Sequence, residues 1–317
     1  MKVLVTGAGG FIGQVLVAQL LAEGLSGQPV TQLTGLDLRL PACADPRWRA
    51  VAGSVADPGV LTQALQQPPD VVFHLACLPG GAAEAQPLLG RQVNLEATVA
   101  LFEALNRPAA PPRVVYASSV AVYGEQLSAQ VDDDTPVAPA LSYGAHKLIG
   151  EILLADAARR GGLLGCSLRL PGVVARPGAD AQLMSAFMSQ LFWCLRDGQP
   201  IELPVRAEGT AWWISVHCCA NNLRQAASAD LSPNGPLGLR RVALMPALWL
   251  SMQEVVDALA QRLGPQTRAL VSSRPQDRVD RLFARYPPLH TPLAERLGLR
   301  HDGTAQKLVA TVLGDTA

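Results

Sequence analysis

Short apolar runs and amphipathic stretches alternate along the first half of the chain. Lys2–Thr6 is apolar, rich in Val and Leu and closed by Gly7, which predicts a strand buried on both faces. Phe11–Glu23 carries Ile12, Val15, Leu16, Gln19 and Leu20 at helical spacing with Gly24 beyond its end, and predicts a helix. The alternation continues with a strand over 31–37. A helix then opens at Asp57-Pro58, an N-cap followed by proline at the first helical position, and runs to about Gln66. A strand over 70–75, a long helix over 88–105, a strand over 113–118, a helix over 141–160 and a strand over Leu164–Leu170 complete this half. Strands alternating with helices of this length predict a doubly wound α/β fold around a parallel sheet with right-handed crossovers.

The second half is broken by prolines and glycines at 171, 172, 177, 178, 200 and 204. Helices are predicted over about 181–197, after Ser215, over 251–262 and over 304–313. The expected division is a dinucleotide-binding domain over 1–171, to which about 209–229 returns, and a smaller, mixed α/β substrate-binding domain over 172–317.

Composition narrows the function. The 26 basic and 26 acidic residues cancel and form no basic run, which argues against nucleic acid or an anionic membrane as partner. A chain 49% hydrophobic and 16% charged is not disordered. Cysteines 43, 77, 166, 194, 218 and 219 show no CxxC spacing, so reduced thiols are expected rather than disulfides or a metal site. The start reads as a strand rather than a targeting segment, and no uncharged apolar stretch is long enough to span a bilayer, so a cytoplasmic protein is expected.

Gly7-Ala8-Gly9-Gly10-Phe11-Ile12-Gly13 places a GxxGxxG turn between the first strand and the first helix. Glycines permit a tight turn and close backbone approach to a pyrophosphate, which the exposed N–H groups and the helix dipole then face. Asp37, at the end of the second strand, is placed to accept hydrogen bonds from an adenosine ribose and to repel a 2′-phosphate. This is a Rossmann arrangement, and it favours NAD over NADP despite Arg39 two residues on. Tyr143 and Lys147 stand at i and i+4 on one helix face, where an ammonium favours phenolate and brings the phenol towards working pH. Such a tyrosine exchanges a proton with a substrate hydroxyl or carbonyl.

With Ser118-Ser119-Val120-Ala121-Val122-Tyr123-Gly124 upstream, and with His74-Leu75-Ala76, Val93-Asn94, Arg169-Leu170-Pro171 and Ala294-Glu295-Arg296-Leu297-Gly298, the chain resembles the extended short-chain dehydrogenases/reductases, the NAD-dependent epimerase/dehydratase superfamily, over nearly its whole length. The resemblance implies Ser119 on the substrate hydroxyl, Tyr143 as proton acceptor, and Lys147 on the nicotinamide ribose. It implies Gly7, Gly10, Phe11, Ile12, Gly13, Asp37, Ser54, Val55, Leu75, Ala76, Asn94, Ser118, Pro171 and Val173 around the cofactor, no metal, and a homodimer. In that dimer the helices at about 88–105 and 141–160 pair through residues such as Leu95, Val99, Phe102, Ile149 and Leu153.

Within the superfamily, the chain lacks the features that serve nucleotide sugars. Val120 and Ala121 follow Ser119 in place of an acid pair, no asparagine follows Arg169-Leu170-Pro171, and Thr210 with Trp212 and Trp213 replaces a nucleotide-gripping arginine. Gly80-Gly81-Ala82-Ala83-Glu84, Arg176-Pro177-Gly178, Ser185-Ala186-Phe187 and Asn222-Leu223 resemble instead the group that oxidises small sugar acids such as D-erythronate. That implies Gly81, Ser119, Tyr143 and Arg176 around the substrate; the group carries an arginine near position 210, where this chain has Thr210, so either another cation, Arg176 or Arg274, holds the carboxylate or the substrate differs. Two other readings stay open: a nucleotide-sugar epimerase that retains its NAD, and a silent NAD-binding regulator. His74 and His217 read as core or supporting residues, Cys77 as a packed thiol, and Asp132-Asp133-Asp134 as a solvated loop.

Overall fold

The computed structural model describes residues 1–178 and 184–314. Strands β1 (Lys2–Thr6), β2 (Gln32–Asp37), β3 (Trp48–Ala52), β4 (Val71–His74), β5 (Arg113–Ser119), β6 (Leu164–Leu170), β7 (Gly172–Val174), β8 (Ile201–Leu203), β9 (Thr210–Ser215), β10 (Val242–Leu244), β11 (Leu248–Ser251) and β12 (Val271–Ser273) fall into three sheets. The main sheet has seven parallel strands in the order β10-β6-β5-β4-β1-β2-β3. The order reverses between β1 and β4, and that opens a crevice beyond their carboxyl ends.

Helices α1 (Phe11–Glu23), α2 (Pro58–Ala64), α3 (Gly80–Ala85), α4 (Pro87–Arg91), α5 (Ala97–Ala104), α6 (Ser142–Arg159), α7 (Ala186–Arg196), α8 (Val216–Ser228) and α9 (Met252–Leu263) cover these strands. One face of the main sheet packs Val3, Val5, Val115 and Leu168 against Leu16 and Leu20 of α1 and Leu223 and Ala226 of α8. The opposite face packs Leu4, Val72, Val114 and Tyr116 against Leu61 of α2, Leu101 and Phe102 of α5, and Leu154 of α6. Strands buried on both faces explain the uninterrupted apolar runs at β1 and β4.

The expected long helix over 88–105 begins at Pro87 and contains a π-helical turn, Gln92–Glu96, between α4 and α5. The extra residue turns Asn94 inward. Asp57 caps α2 as expected, accepting from the Gly59 and Val60 N–H groups. Of the helix expected over 181–197, positions 181–183 lie outside the described residues, and α7 runs over Ala186–Arg196.

The second sheet, β11-β9-β7, packs its central strand against α7 and α9. Trp213 on β9 therefore belongs to that core, and Trp212, on the opposite face of the strand, packs with Val122, Tyr123 and Leu244 instead of lining a pocket. Both indoles are buried, and their N–H groups donate to the Pro287 and Leu250 carbonyls. The 132–134 loop is also more than a solvated surface. Asp133 accepts from the Leu244 and Leu293 N–H groups, and so ties β10 to the segment that follows residue 290.

Candidate active site

The glycine turn closes tightly on the sheet. Gly7 has φ of 74° and donates its N–H to the Leu36 carbonyl at 2.8 Å. A Cβ on Gly13 would lie 2.0 Å from the Gly7 carbonyl oxygen, so only glycine lets α1 start this close to β1. Gly10 is the N-cap of α1, and no side chain caps that end among the described residues. The first N–H groups of α1 and its dipole therefore face outward, with Phe11 and Ile12 half-buried beside them. Asp37 ends β2 next to this turn and accepts the Gly9 N–H at 3.0 Å through one carboxylate oxygen. An uncapped helix start, a glycine cradle and a strand-end carboxylate are a donor and acceptor set that fits a dinucleotide's pyrophosphate and ribose.

The carboxyl end of β5 carries Ser119. It is extended, and its Oγ accepts from the Ala121 N–H at 3.1 Å to cap a short 3₁₀ turn, Val120–Val122. Helix α6 packs directly on that turn. A Cβ on Gly144 would sit 2.4 Å from the Ala121 carbonyl oxygen, so glycine at 144 lets α6 lie against this turn and sets the neighbouring Tyr143 beside Ser119. One turn on, buried Lys147 donates from Nζ to the Ala117 carbonyl at 2.6 Å, and Nζ lies 5.6 Å from the Tyr143 ring centre.

The expected electrostatics are reversed. The Tyr143 phenol is pushed well above its ordinary value, foremost by burial and then by the nearby Cys77 and Tyr116, with the Ser119 hydrogen bond opposing. Burial also pushes the Lys147 ammonium down. The ammonium is turned to the Ala117 carbonyl, and desolvation of the phenol outweighs the charge one helical turn away.

Several expected residues serve the frame rather than the crevice. Asn94 uses both ends of its amide on Leu78, accepting its N–H at 2.6 Å and donating to its carbonyl at 2.9 Å, and so pins the loop after β4 instead of facing a cofactor. The Ser118 hydroxyl donates to Glu151 and is likewise engaged. Val55 packs in the core beside Leu61, while Ser54 Oγ accepts the Ala56 N–H. Leu75, Ala76 and Val173 are half-buried along the carboxyl edge, and Pro171 is buried where β6 ends. Gly81 stands on α3, whose first residue, Gly80, lies against the Tyr143 ring.

The main feature hidden from sequence reading is a buried ionic network beneath the site. Arg169 of β6 donates through Nε and Nη2 to Glu151 of α6 at 3.0 and 2.7 Å, and through Nη1 to the Tyr123 hydroxyl at 3.0 Å. Its sequence signal was Glu151 eight residues after Tyr143 on the inward face of the helix. His74 is neutral core as expected. Burial pushes it down to about 3, and its two ring nitrogens bond to Thr6 and Thr98 at 2.7 and 2.9 Å. No cluster of metal-ligating side chains occurs among the described residues, and no described helix is long and apolar enough to cross a membrane.

Arg176 and Arg274 part company. Arg274 is exposed beyond β12, with its N–H on the Leu203 carbonyl. The Arg176 guanidinium lies 5.7 Å from the Phe11 ring centre, next to the glycine turn. Ser189 and Trp193 of α7 hold its backbone, the one accepting its N–H and the other donating to its carbonyl, both at 2.9 Å. Its side chain has no carboxylate partner among the described residues, whereas Arg206 and Arg285, near Thr210, are both paired with Asp280.

The profile of the NAD dependent epimerase/dehydratase family matches residues 3–218. The chain is 37% identical to a D-erythronate dehydrogenase of Cupriavidus necator, over 99% of this chain and 98% of that protein. It is 27% identical to a D-erythronate dehydrogenase of Haemophilus influenzae, over 98% of each. Among solved structures, a nucleoside-diphosphate-sugar epimerase from Agrobacterium tumefaciens superposes with a TM-score of 0.91 at 31% identity, covering 100% of this chain and 94% of that one.

Proposed function

The chain belongs to the NAD dependent epimerase/dehydratase family, and we propose that within it the chain is a dehydrogenase that oxidises a hydroxyl of a small sugar acid of the D-erythronate kind. The observation that carries this reading is Arg176. A half-buried guanidinium pinned at its backbone, seated on an aromatic ring and lacking a carboxylate partner among the described residues is held for an anion from outside. A single carboxylate suits it. The D-erythronate dehydrogenases that resemble the chain over its whole length support the same substrate class.

In this reading residues 1–171, joined by 209–229, bind the cofactor, and the remainder encloses the substrate. The turn from Gly7 to Gly13 holds the pyrophosphate and Asp37 the adenosine ribose. Bound NAD supplies the hydride acceptor. Ser119 holds the reacting hydroxyl, Tyr143 takes its proton, and Lys147 adds positive potential as negative charge develops on that oxygen. Because burial raises the Tyr143 phenol, alcohol oxidation, which needs the phenolate, gains rate as pH rises, and carbonyl reduction, which needs the phenol, is favoured at neutral pH. The competing reading, a nucleotide-sugar epimerase, draws on the resemblance to the Agrobacterium protein. NADH formation separates the two, since an epimerase that retains its cofactor gives no net absorbance change.

Asp37→Ala should weaken NAD binding and narrow its margin over NADP, because the carboxylate that repels a 2′-phosphate is gone. Dissociation constants for both cofactors measure this, and an unchanged NAD to NADP ratio would contradict the role.

The homodimer is part of the proposal. Leu88 (79% exposed), Leu89, Ile149 and Ile152 (61% exposed) form an apolar surface on α4 and α6. Of the side chains expected there, Phe102 is instead buried in the chain's own core. Light scattering at micromolar concentration should return twice the 33.4 kDa chain mass, and a monomer mass would refute the pairing.

A further inference from the structure

Lys147 is 2% exposed, and among the described residues the Ala117 carbonyl, at 2.6 Å, is the oxygen that accepts from its ammonium. An ammonium has three N–H donors. Glu151, one turn along the helix, is paired instead with Arg169 at 2.7 Å. Nζ also lies over two aromatic rings, 4.8 Å from the Tyr116 ring centre and 5.6 Å from that of Tyr143.

The nearer ring is held from several sides. Tyr116 stands on β5, stacked on His74 with ring centres 5.5 Å apart and planes at 23°, and set edge-on to Phe102 at 5.9 Å and 86°. A Cβ on Gly150 would lie 2.6 Å from the Tyr116 hydroxyl oxygen, so glycine at 150 lets α6 cross the ring this closely. The hydroxyl has no hydrogen-bond partner among the described residues, and burial holds the phenol well above its ordinary value. Tyr116 is therefore neutral, and what it turns to Nζ is the face of its ring. The other titratable groups that act on Nζ are neutral His74 from β4, Cys77 from the loop after it, and Tyr143 and Glu151 from its own helix.

We propose that Tyr116 is a positioning residue for Lys147, its ring face seating the ammonium beside Tyr143. The inference rests on the role given to Lys147 in hydroxyl oxidation. The negative face of an aromatic ring attracts a cation, and does so more strongly where water is excluded. Burial already pushes the Lys147 ammonium down. The ring opposes that push and aims Nζ together with the Ala117 carbonyl. With the attraction removed, Lys147 should lose its proton at a lower pH.

The chain has three lysines, Lys2, Lys147 and Lys307, so NMR of protein labelled with ¹³Cε-lysine follows each one, and Lys147→Arg identifies the resonance of interest. Tyr116→Phe keeps the ring face and should titrate like the parent. Phenylalanines bearing one, two and three ring fluorines at position 116 draw electron density from that face at nearly constant volume. Across this series the Lys147 midpoint should fall stepwise, by roughly 0.5–1.5 pH units in all, the size of a cation–π contact in a desolvated site. A packing role predicts one midpoint throughout, and a flat or rising series would overturn the inference.

Turnover provides the second readout. At the parent's midpoint, kcat should fall in the same order as the midpoints, and a constant kcat across a falling series would remove Tyr116 from the reaction. Failure of the parent to oxidise any sugar acid would instead remove the proposed function, and the titration, which needs no substrate, still decides whether the ring seats the ammonium.

Discussion

Tyr143→Phe should lower turnover by ~10²–10⁴-fold, the usual size of a general acid–base contribution, with NAD affinity nearly intact. The ring packs against the Gly80 segment and beside Lys147, and phenylalanine keeps those contacts. What it loses is the hydroxyl beside Ser119 that takes the substrate proton in the proposed mechanism. The loss should appear in kcat rather than in the cofactor dissociation constant, because the interaction matters only as the proton moves. Lys147→Ala should differ. It removes the charge beside the phenol and the donor to Ala117, so cofactor binding and turnover should fall together. Steady-state kinetics with a separate NAD titration distinguishes the two patterns. Full NADH production by Tyr143→Phe would remove Tyr143 from the mechanism.

Glu151→Ala should cost about 3–5 kcal/mol of stability, the range for removing one partner of a buried ion pair. The Glu151 side chain is 3% exposed and that of Arg169 10%, so the abandoned guanidinium cannot turn to water without opening the interface of β6 with α6. Ser118 loses its partner with it, and the guanidinium that donates to the Tyr123 hydroxyl loses its counter-charge. Ser118 and Tyr123 sit within four residues of Ser119, so activity should fall even where the protein still folds. Glu151→Ala combined with Arg169→Met should recover much of the stability, because a neutral, packed pair no longer carries an uncompensated charge. Urea unfolding of the three proteins measures this. A Glu151→Ala midpoint equal to that of the parent would mean the pair is energetically idle.

The main sheet was legible because its strands are buried on both faces. Apolar runs such as 71–74 and 164–170 have no other plausible use, and caps such as Asp57 marked where helices begin. The placement of Ser119, Tyr143 and Lys147 was readable for a related reason: helical spacing fixes Tyr143 and Lys147 on one face, and a strand end fixes Ser119 at the crevice. Contacts between distant segments left no local trace. Ser118 and Asn94 carry the side chains of ligand-binding residues, yet their partners, Glu151 and Leu78, are chosen by tertiary packing. Trp212 and Trp213 looked like pocket walls because nothing near residue 212 reveals that β9 lies between two other strands. The direction of the Tyr143 shift was missed for the same reason. Spacing reveals the neighbouring ammonium but not the burial that outweighs it.

If a sugar-acid hydroxyl is oxidised in this crevice, as proposed, the electrons leave as NADH. The most direct measurement is NADH absorbance on mixing the protein and NAD with a panel of four- to six-carbon aldonic and uronic acids, with UDP-glucose as the nucleotide-sugar control. Sugar-acid oxidation predicts catalytic NADH formation with at least one small acid, a loss of that activity in Arg176→Ala expressed mainly as a higher KM, and no change with UDP-glucose. Conversion of the nucleotide sugar without net NADH, and silence with every acid, would contradict it.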